Sequence, residues 1–260
     1  PALDIEVDEG KSAAQLEQWI EEFTSELKRL TGRTPMIYTY KYFWMGQMNN
    51  SQKFSDMPLW LAAYQDQAPE AVGGWKKLSF WQRSGSGKVA GIPTDVDMNL
   101  FNGSKQQLQS FSDGNYVDVG GALEQLVVGD GVDLSSDSTP LIGAILALAA
   151  GLIAIPQLVD AAEKSGLDPQ AAQGLAGFVK TLQDKDALPV EDLGDMAKGN
   201  FSVSDLAILL DNAGHVNNVK SGNVSESEVS EAKNAAKKAG ADVPDFDAGQ
   251  VATLLNRVLQ

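Results

Sequence analysis

Short apolar segments recur along the first hundred residues. The sequence predicts a long amphipathic helix at 12–30, between the first apolar segment and the second. The predicted strands are 2–7, 35–39, 58–64, 77–82 and 94–99. The glycine-rich stretch 84–88 between the last two strands predicts a hairpin turn. Strand, helix and strand in close succession are typical of an α/β fold with a parallel sheet. In barrels of that type, chemistry lies at the carboxyl ends of the strands, which in this sequence carry polar or aromatic residues.

The charge of the chain is distributed unevenly. Residues 1–110 contain 13 acidic and 11 basic residues, whereas residues 111–260 contain 22 acidic and 9 basic residues. This shift indicates two units of different character. The net charge of −15 and the isoelectric point near 4.4 argue against nucleic-acid binding. The sequence has no cysteine, which excludes disulfides and thiolate metal sites, and it predicts neither a cofactor nor a metal site.

The predicted organisation has three parts. Residues 1–112 form the α/β part, residues 113–139 an acidic linker rich in Gly and Ser, and residues 140–260 a mainly helical domain. Local start signals support the helices, because Asp168 precedes a first-turn proline and Ser225 with Glu228 forms a capping box. The predicted helices are 141–163, 169–184, 203–213, 225–239 and 247–259.

The run at 140–156 is apolar and long enough to be considered as a transmembrane helix. No Lys or Arg flanks its start, however, and the nearest charges on either side, Asp137 and Asp160, are both acidic. The pattern favours the buried central helix of a bundle, with a membrane-embedded helix as the alternative. The partner of residues 140–260 is accordingly expected to be a protein or a membrane.

Two carboxylates, Asp4 and Glu6, lie two residues apart in the first predicted strand. Alternate side chains of a strand share a face, so this pair projects to one side and Leu3 and Ile5 to the other. Like charges that close raise the pKa of one member. A carboxylic acid that keeps its proton near neutral pH can protonate a leaving oxygen, as glycoside hydrolysis requires. The simpler interpretation is a solvated strand end.

Further motifs follow LDIE in a fixed order: PMIYTYKYFW, PLWLAAY, SFWQRSGSGKVAGI and DVDMNLFNGS. Together they resemble glycoside hydrolase family 25, the muramidases that cleave bacterial peptidoglycan. The resemblance covers about residues 2–110. It implies the C-terminal part of an irregular TIM-like (β/α) barrel, which the mainly α-helical domain would follow.

The resemblance also implies roles for individual residues. Glu6 would donate a proton to the glycosidic oxygen, and Asp4 would steady the positive charge developing at the sugar or orient its acetamido group as an internal nucleophile. Asp97, in VDMN, would line the same cleft. Four further residues would shape the sugar site: Tyr38, Trp60, Tyr64 and Gln82.

The family's first three barrel strands have no counterpart before LDIE in this sequence. A parallel barrel without three strands has two open edges, which are prone to pair with other chains. We therefore expect the chain to be part of a longer protein, or to be completed by an N-terminal barrel segment from another chain. Whether these 260 residues are active alone depends on that segment.

The leading hypothesis is a bacterial muramidase that cleaves the N-acetylmuramic acid–N-acetylglucosamine bond of peptidoglycan strands, with an acidic helical extension for interaction or anchoring. The alternatives are a chitinase-like glycosidase, because those enzymes also carry an Asp-x-Glu motif on a barrel strand, and a non-catalytic scaffold that binds the cell wall. The FWQ and VDMN segments favour the muramidase. A secreted or cell-envelope location is expected with this function.

Overall fold

The computed structural model describes residues 1–116, 123 and 134–215, and the chain divides into two compact units, Pro1–Asp133 and Leu134–Gln260. The predicted helices at 225–239 and 247–259 lie outside the described residues, as does most of the predicted linker. The described part of the first unit contains a five-stranded mixed sheet with helices, and that of the second contains five helices.

The first unit begins with strand β1, Ala2–Asp4, and helix α1, Ala13–Thr31. Local signals explain the bounds of α1. The Ser12 hydroxyl accepts from the Gln15 N–H, the Gln15 side chain accepts from the Ser12 N–H, and Gly32 ends the helix with φ +68°. Four strands or helices follow the next turn: β2 at Met36–Tyr40, a π-helical turn at Phe43–Gln47, β3 at Leu59–Ala62 and β4 at Phe80–Gly87. Strand β5, Val96–Phe101, and helix α2, Lys105–Ser112, complete the unit as described.

The sheet has the order β1-β2-β3-β4-β5, in which β1 to β4 are parallel and β5 runs antiparallel to β4. The prediction of a parallel sheet was therefore wrong for the last strand. The connection between β4 and β5 spans only residues 88–95, which suits a hairpin and is too short for a parallel crossover. The hairpin was predicted, but its turn was misplaced, because residues 84–87 belong to β4 and pair with β5 across two register shifts.

The two faces of the sheet differ in composition. One face is an apolar core whose large side chains are at most 4% exposed: Leu3, Ile37, Leu59, Leu61 and Trp81. The other face carries most of the polar and aromatic side chains of the candidate site, of which Asp4, Tyr38 and Trp60 are at least partly exposed. Since successive strand residues alternate between faces, the core-forming positions also place the intervening polar ones on the opposite side.

The second unit contains α3, Thr139–Ala149, and α4, Ile155–Lys164. It also contains α5, Pro169–Asp184, α6, Val190–Met196, and α7, Val203–His215. The prediction of a helix at 169–184 is confirmed by α5, where Asp168 accepts from the N–H groups of Gln170 and Ala171. The prediction at 203–213 is two residues shorter than α7, and α6 was not predicted.

The single predicted helix at 141–163 was wrong, because the structure has two helices there. Gly151 adopts φ +70°, a left-handed conformation that an α-helix cannot continue through. Pro156 in the first turn of α4 has no N–H and favours a new helix start. Helix α3 is buried on all sides from Leu141 to Ala149, the environment that an apolar helix without a polar face requires. None of the helices in the described ranges is both long and apolar enough to cross a membrane.

Candidate active site

Register brings one residue from each strand into a row across the polar face of the sheet. Asp4 pairs with Tyr38, Tyr38 with Trp60, Trp60 with Phe80, and Phe80 with Phe101. Paired residues of neighbouring strands point to the same side, so these five side chains line one surface. The row combines a carboxylate at one end with aromatic rings along the rest.

The predicted acid pair lies at the carboxyl end of β1. Asp4 and Glu6 share the face of the row and are joined by a side-chain hydrogen bond. Two carboxyl groups can make such a bond only when one of them carries a proton. Partial burial raises the pKa of Asp4 above its ordinary value of 3.8, although the residue keeps an exposed surface. The hydrogen bond from Glu6 acts in the opposite direction and lowers this pKa. This end of the sheet therefore retains a proton more readily than an isolated aspartate would.

Two phenols converge on one buried amide. The Tyr38 hydroxyl donates to Gln82 Oε1 at 2.7 Å, and the Tyr64 hydroxyl donates to the same oxygen at 3.5 Å. Gln82 is 3% exposed, so its carbonyl is held in place by its surroundings. The Tyr38–Gln82 bond links β2 to β4 across β3 and fixes the position of the Tyr38 hydroxyl.

The phenol of Tyr38 lies within electrostatic reach of the acidic residues. Burial is the main cause that raises the pKa of Tyr38 far above its ordinary value of 10.0. Neighbouring groups raise it further, in the order Glu6, Tyr64, Asp4 and Asp97. Tyr38 therefore stays protonated, and its hydroxyl acts as the hydrogen-bond donor to Gln82.

The antiparallel course of β5 explains why Asp97 lies at the same edge of the sheet as the acid pair. Asp97 is the second residue of β5, and an antiparallel strand begins at the edge where β1 to β4 end. A strand parallel to β4 would instead begin at the opposite edge. The structure thus brings together the seven residues that the motifs singled out: Asp4, Glu6, Tyr38, Trp60, Tyr64, Gln82 and Asp97. Their chemical roles remain predictions.

Sequence reasoning missed three residues of this surface: Phe80, Asn99 and Phe101. The indole Nε1–H of Trp60 donates to Asn99 Oδ1 at 2.8 Å, and Phe80 lies beside Trp60 with a ring-centroid distance of 6.0 Å. Asn99 stands two residues after Asp97 in VDMN, and this strand periodicity was the available signal for it. In the described ranges, no group of three or more His, Cys, Asp or Glu side chains is arranged to hold a metal ion.

Asp4→Asn is expected to raise the melting temperature at pH 7 and to leave it unchanged below about pH 3.8. The pKa of Asp4 is raised in the folded protein, so its ionisation opposes folding, and the parent loses stability as the pH rises through the folded-state pKa. The variant has no such loss. Thermal denaturation at pH 3 and pH 7 measures the difference, with the exposed Asp56→Asn as the matched control. An equal gain at both pH values would contradict an effect of ionisation.

The N-terminal segment is similar to known glycoside hydrolases. Residues 1–92 match the model for Glycosyl hydrolases family 25. The chain is 37% identical over 102 residues to lysozyme M1 of Streptomyces globisporus, covering 38% of this chain and 34% of that protein. It is 35% identical over 107 residues to N,O-diacetylmuramidase of Chalaropsis sp, and the match covers 40% of this chain and 48% of that protein. It is also 35% identical over 113 residues to the Escherichia coli K12 protein YegX, and the match covers 43% of this chain and 40% of that protein.

The similarity therefore spans less than half the length of these curated relatives. Among solved structures, the bacterial lysozyme from Streptomyces coelicolor is 33% identical, with a TM-score of 0.42 and coverage of 43% of this chain and 55% of that one. Residues 1–92 of this chain thus match glycoside hydrolase family 25, the family that its motifs resemble.

Proposed function

We propose that this chain carries the catalytic edge of a bacterial muramidase that hydrolyses the N-acetylmuramic acid–N-acetylglucosamine bond of peptidoglycan. The observation that carries the proposal is the hydrogen-bonded Asp4–Glu6 pair at the carboxyl end of β1, within a segment that matches a glycoside hydrolase family. Two carboxyl groups that hold one proton between them provide one acid and one carboxylate, the two protonation states that glycoside hydrolysis uses.

In the proposed reaction, Glu6 transfers its proton to the glycosidic oxygen as the bond from that oxygen to the anomeric carbon breaks. The carboxylate of Asp4 stabilises the positive charge that develops at the sugar, or it orients the substrate's acetamido group as an internal nucleophile. Water then adds to the anomeric carbon and returns a proton to Glu6. Asp97 contributes negative charge at the same edge.

The aromatic row suits a sugar ligand. Sugars present apolar C–H faces, which pack on aromatic rings, and hydroxyl or amide groups, which need a few fixed polar partners. We assign the ring contacts to Trp60 and the neighbouring Tyr38, whose rings meet edge to face at 4.9 Å. Tyr64 and Gln82 are assigned polar contacts with the substrate.

We propose that the five-stranded sheet is the C-terminal part of an irregular TIM-like barrel. In the described sheet β1 pairs with β2 alone, so the backbone groups of Ala2 and Asp4 that alternate away from β2 are available to a further strand. An N-terminal barrel segment, from the same or another chain, would occupy this edge.

The proposed organisation keeps residues 1–112 as the barrel part, 113–139 as a linker and 140–260 as a helical domain. We assign the helical domain a role in interaction or anchoring, with a protein as its partner, because its apolar helix α3 is already buried. A secreted or cell-envelope location is proposed because peptidoglycan is found there.

Digestion of purified bacterial peptidoglycan tests the proposed function. We expect new reducing ends at N-acetylmuramic acid, identified by borohydride reduction and mass spectrometry of the released fragments. Reducing ends at N-acetylglucosamine would contradict the assigned bond. Cleavage of chitin oligosaccharides without cleavage of peptidoglycan would support the chitinase-like alternative, and sedimentation with peptidoglycan without cleavage would support a wall-binding scaffold.

A further inference from the structure

The side chain of Asn99 lies between two parts of the candidate site. Its Oδ1 accepts from the Trp60 indole N–H at 2.8 Å, and its Nδ2 donates to the backbone carbonyl of Asp97 at 3.3 Å. One amide therefore connects an aromatic ring on β3 with the backbone of an acidic residue on β5.

The register explains why this contact constrains Trp60. Trp60 pairs with Phe80, which pairs with Phe101, whereas Asn99 pairs with Gln82, one row nearer the carboxyl edge. Strands are about 4.8 Å apart, so Asn99 is about 10 Å across the sheet from the backbone of Trp60. The indole must lie across β4, with its N–H directed toward the carboxyl edge, to reach Oδ1.

The remaining contacts leave the ring less restrained. Trp60 is partly exposed, Tyr38 meets it edge to face, and the Phe80 ring is tilted 51° to it. Ring contacts of this kind tolerate sliding and tilting, whereas a hydrogen bond to an N–H has a preferred distance and direction. The contact with Asn99 is thus the directional restraint on the plane of the indole.

We propose that Asn99 is a positioning residue, which holds the Trp60 ring in the plane that receives a sugar and ties that ring to the strand that carries Asp97. This inference rests on the proposed function. A group that acts through a binding surface changes substrate binding more than bond cleavage. Loss of the Asn99 acceptor is therefore expected to raise KM about three- to ten-fold, the usual effect of one hydrogen bond, with kcat changed by less than about two-fold.

The test compares Asn99→Leu, which removes the acceptor, with Asn99→Asp, which keeps it. The first measurement does not depend on activity: the ¹⁵N-labelled indole N–H of Trp60, identified by its disappearance in Trp60→Phe, is followed by NMR in the full chain. We expect Asn99→Leu to shift this signal and speed its exchange with water, and Asn99→Asp to preserve its protection. An unchanged signal in Asn99→Leu would overturn the proposal.

The second measurement is the kinetics of cleavage of soluble peptidoglycan fragments. Asn99→Leu should raise KM, Asn99→Asp should restore it, and Asn99→Leu should add no further increase in a Trp60→Phe background. A further increase in that background, or a selective fall in kcat, would contradict action through Trp60. A parent protein without cleavage would overturn the proposed function and the kinetic role together, and the indole signal would still decide whether Asn99 holds the ring.

Discussion

Glu6→Gln is expected to lower the rate of peptidoglycan cleavage by about 10²–10⁴-fold, the usual contribution of a general acid. Glutamine has the shape of glutamate but has no acidic proton to give to the glycosidic oxygen. Its amide N–H still supplies a donor for the Asp4 carboxylate, which hydrogen bonds to Glu6 in the parent. The substitution therefore removes the proposed chemistry with little change to the contacts at the end of β1.

The rate is measured as reducing ends released from purified peptidoglycan. Glu22→Gln is the matched control, because Glu22 is exposed on α1 and accepts a hydrogen bond from Gln18 that glutamine can also accept. The control should cleave at the parental rate, and both variants should melt near the parental temperature. A Glu6→Gln rate within a few-fold of the parental rate would show that Glu6 is not the proton donor.

Gly73→Ala is expected to destabilise the protein by about 3 kcal/mol or more. Gly73 has φ +59°, a conformation that costs a residue with a side chain about 1–2 kcal/mol. An added methyl carbon would also lie 2.2 Å from the Trp44 indole nitrogen and 2.8 Å from the Ser51 carbonyl oxygen. Trp44 is fully buried and donates to that carbonyl, so neither neighbour can move without breaking a contact.

Gly74→Ala provides the control for backbone strain. Gly74 has φ +79°, but its added methyl would meet only the flexible side chain of Gln52, at 3.2 Å or more. We expect this variant to lose about 1 kcal/mol, from the left-handed conformation alone. Urea denaturation of the two variants measures the difference in the free energy of unfolding. Equal losses would mean that steric overlap at the Trp44 site contributes nothing.

Local patterns in the sequence predicted α1 and α5 but not α2, although α2 also begins with a capping box. The helical spacing of apolar residues indicated α1, and Asp168 followed by proline indicated the start of α5, where the Asp168 side chain satisfies backbone N–H groups within three residues of itself. The apolar run after Pro140 was different. Its hydrophobicity predicted burial in general, but the left-handed Gly151, which ends the helix, was overlooked as a stop signal.

The sequence by itself determined that Asp4 and Glu6 share one face, because the alternation of strand side chains needs no knowledge of neighbouring strands. The motifs also identified the other acid, Asp97, and the aromatic residues of the same surface. Only the tertiary structure decided that an antiparallel strand brings Asp97 to the same edge as the pair and that Asn99 accepts a hydrogen bond from Trp60. Those contacts depend on strand direction and register, which arise from hydrogen bonds between segments distant in the chain, and a single residue of slip would turn each side chain to the opposite face.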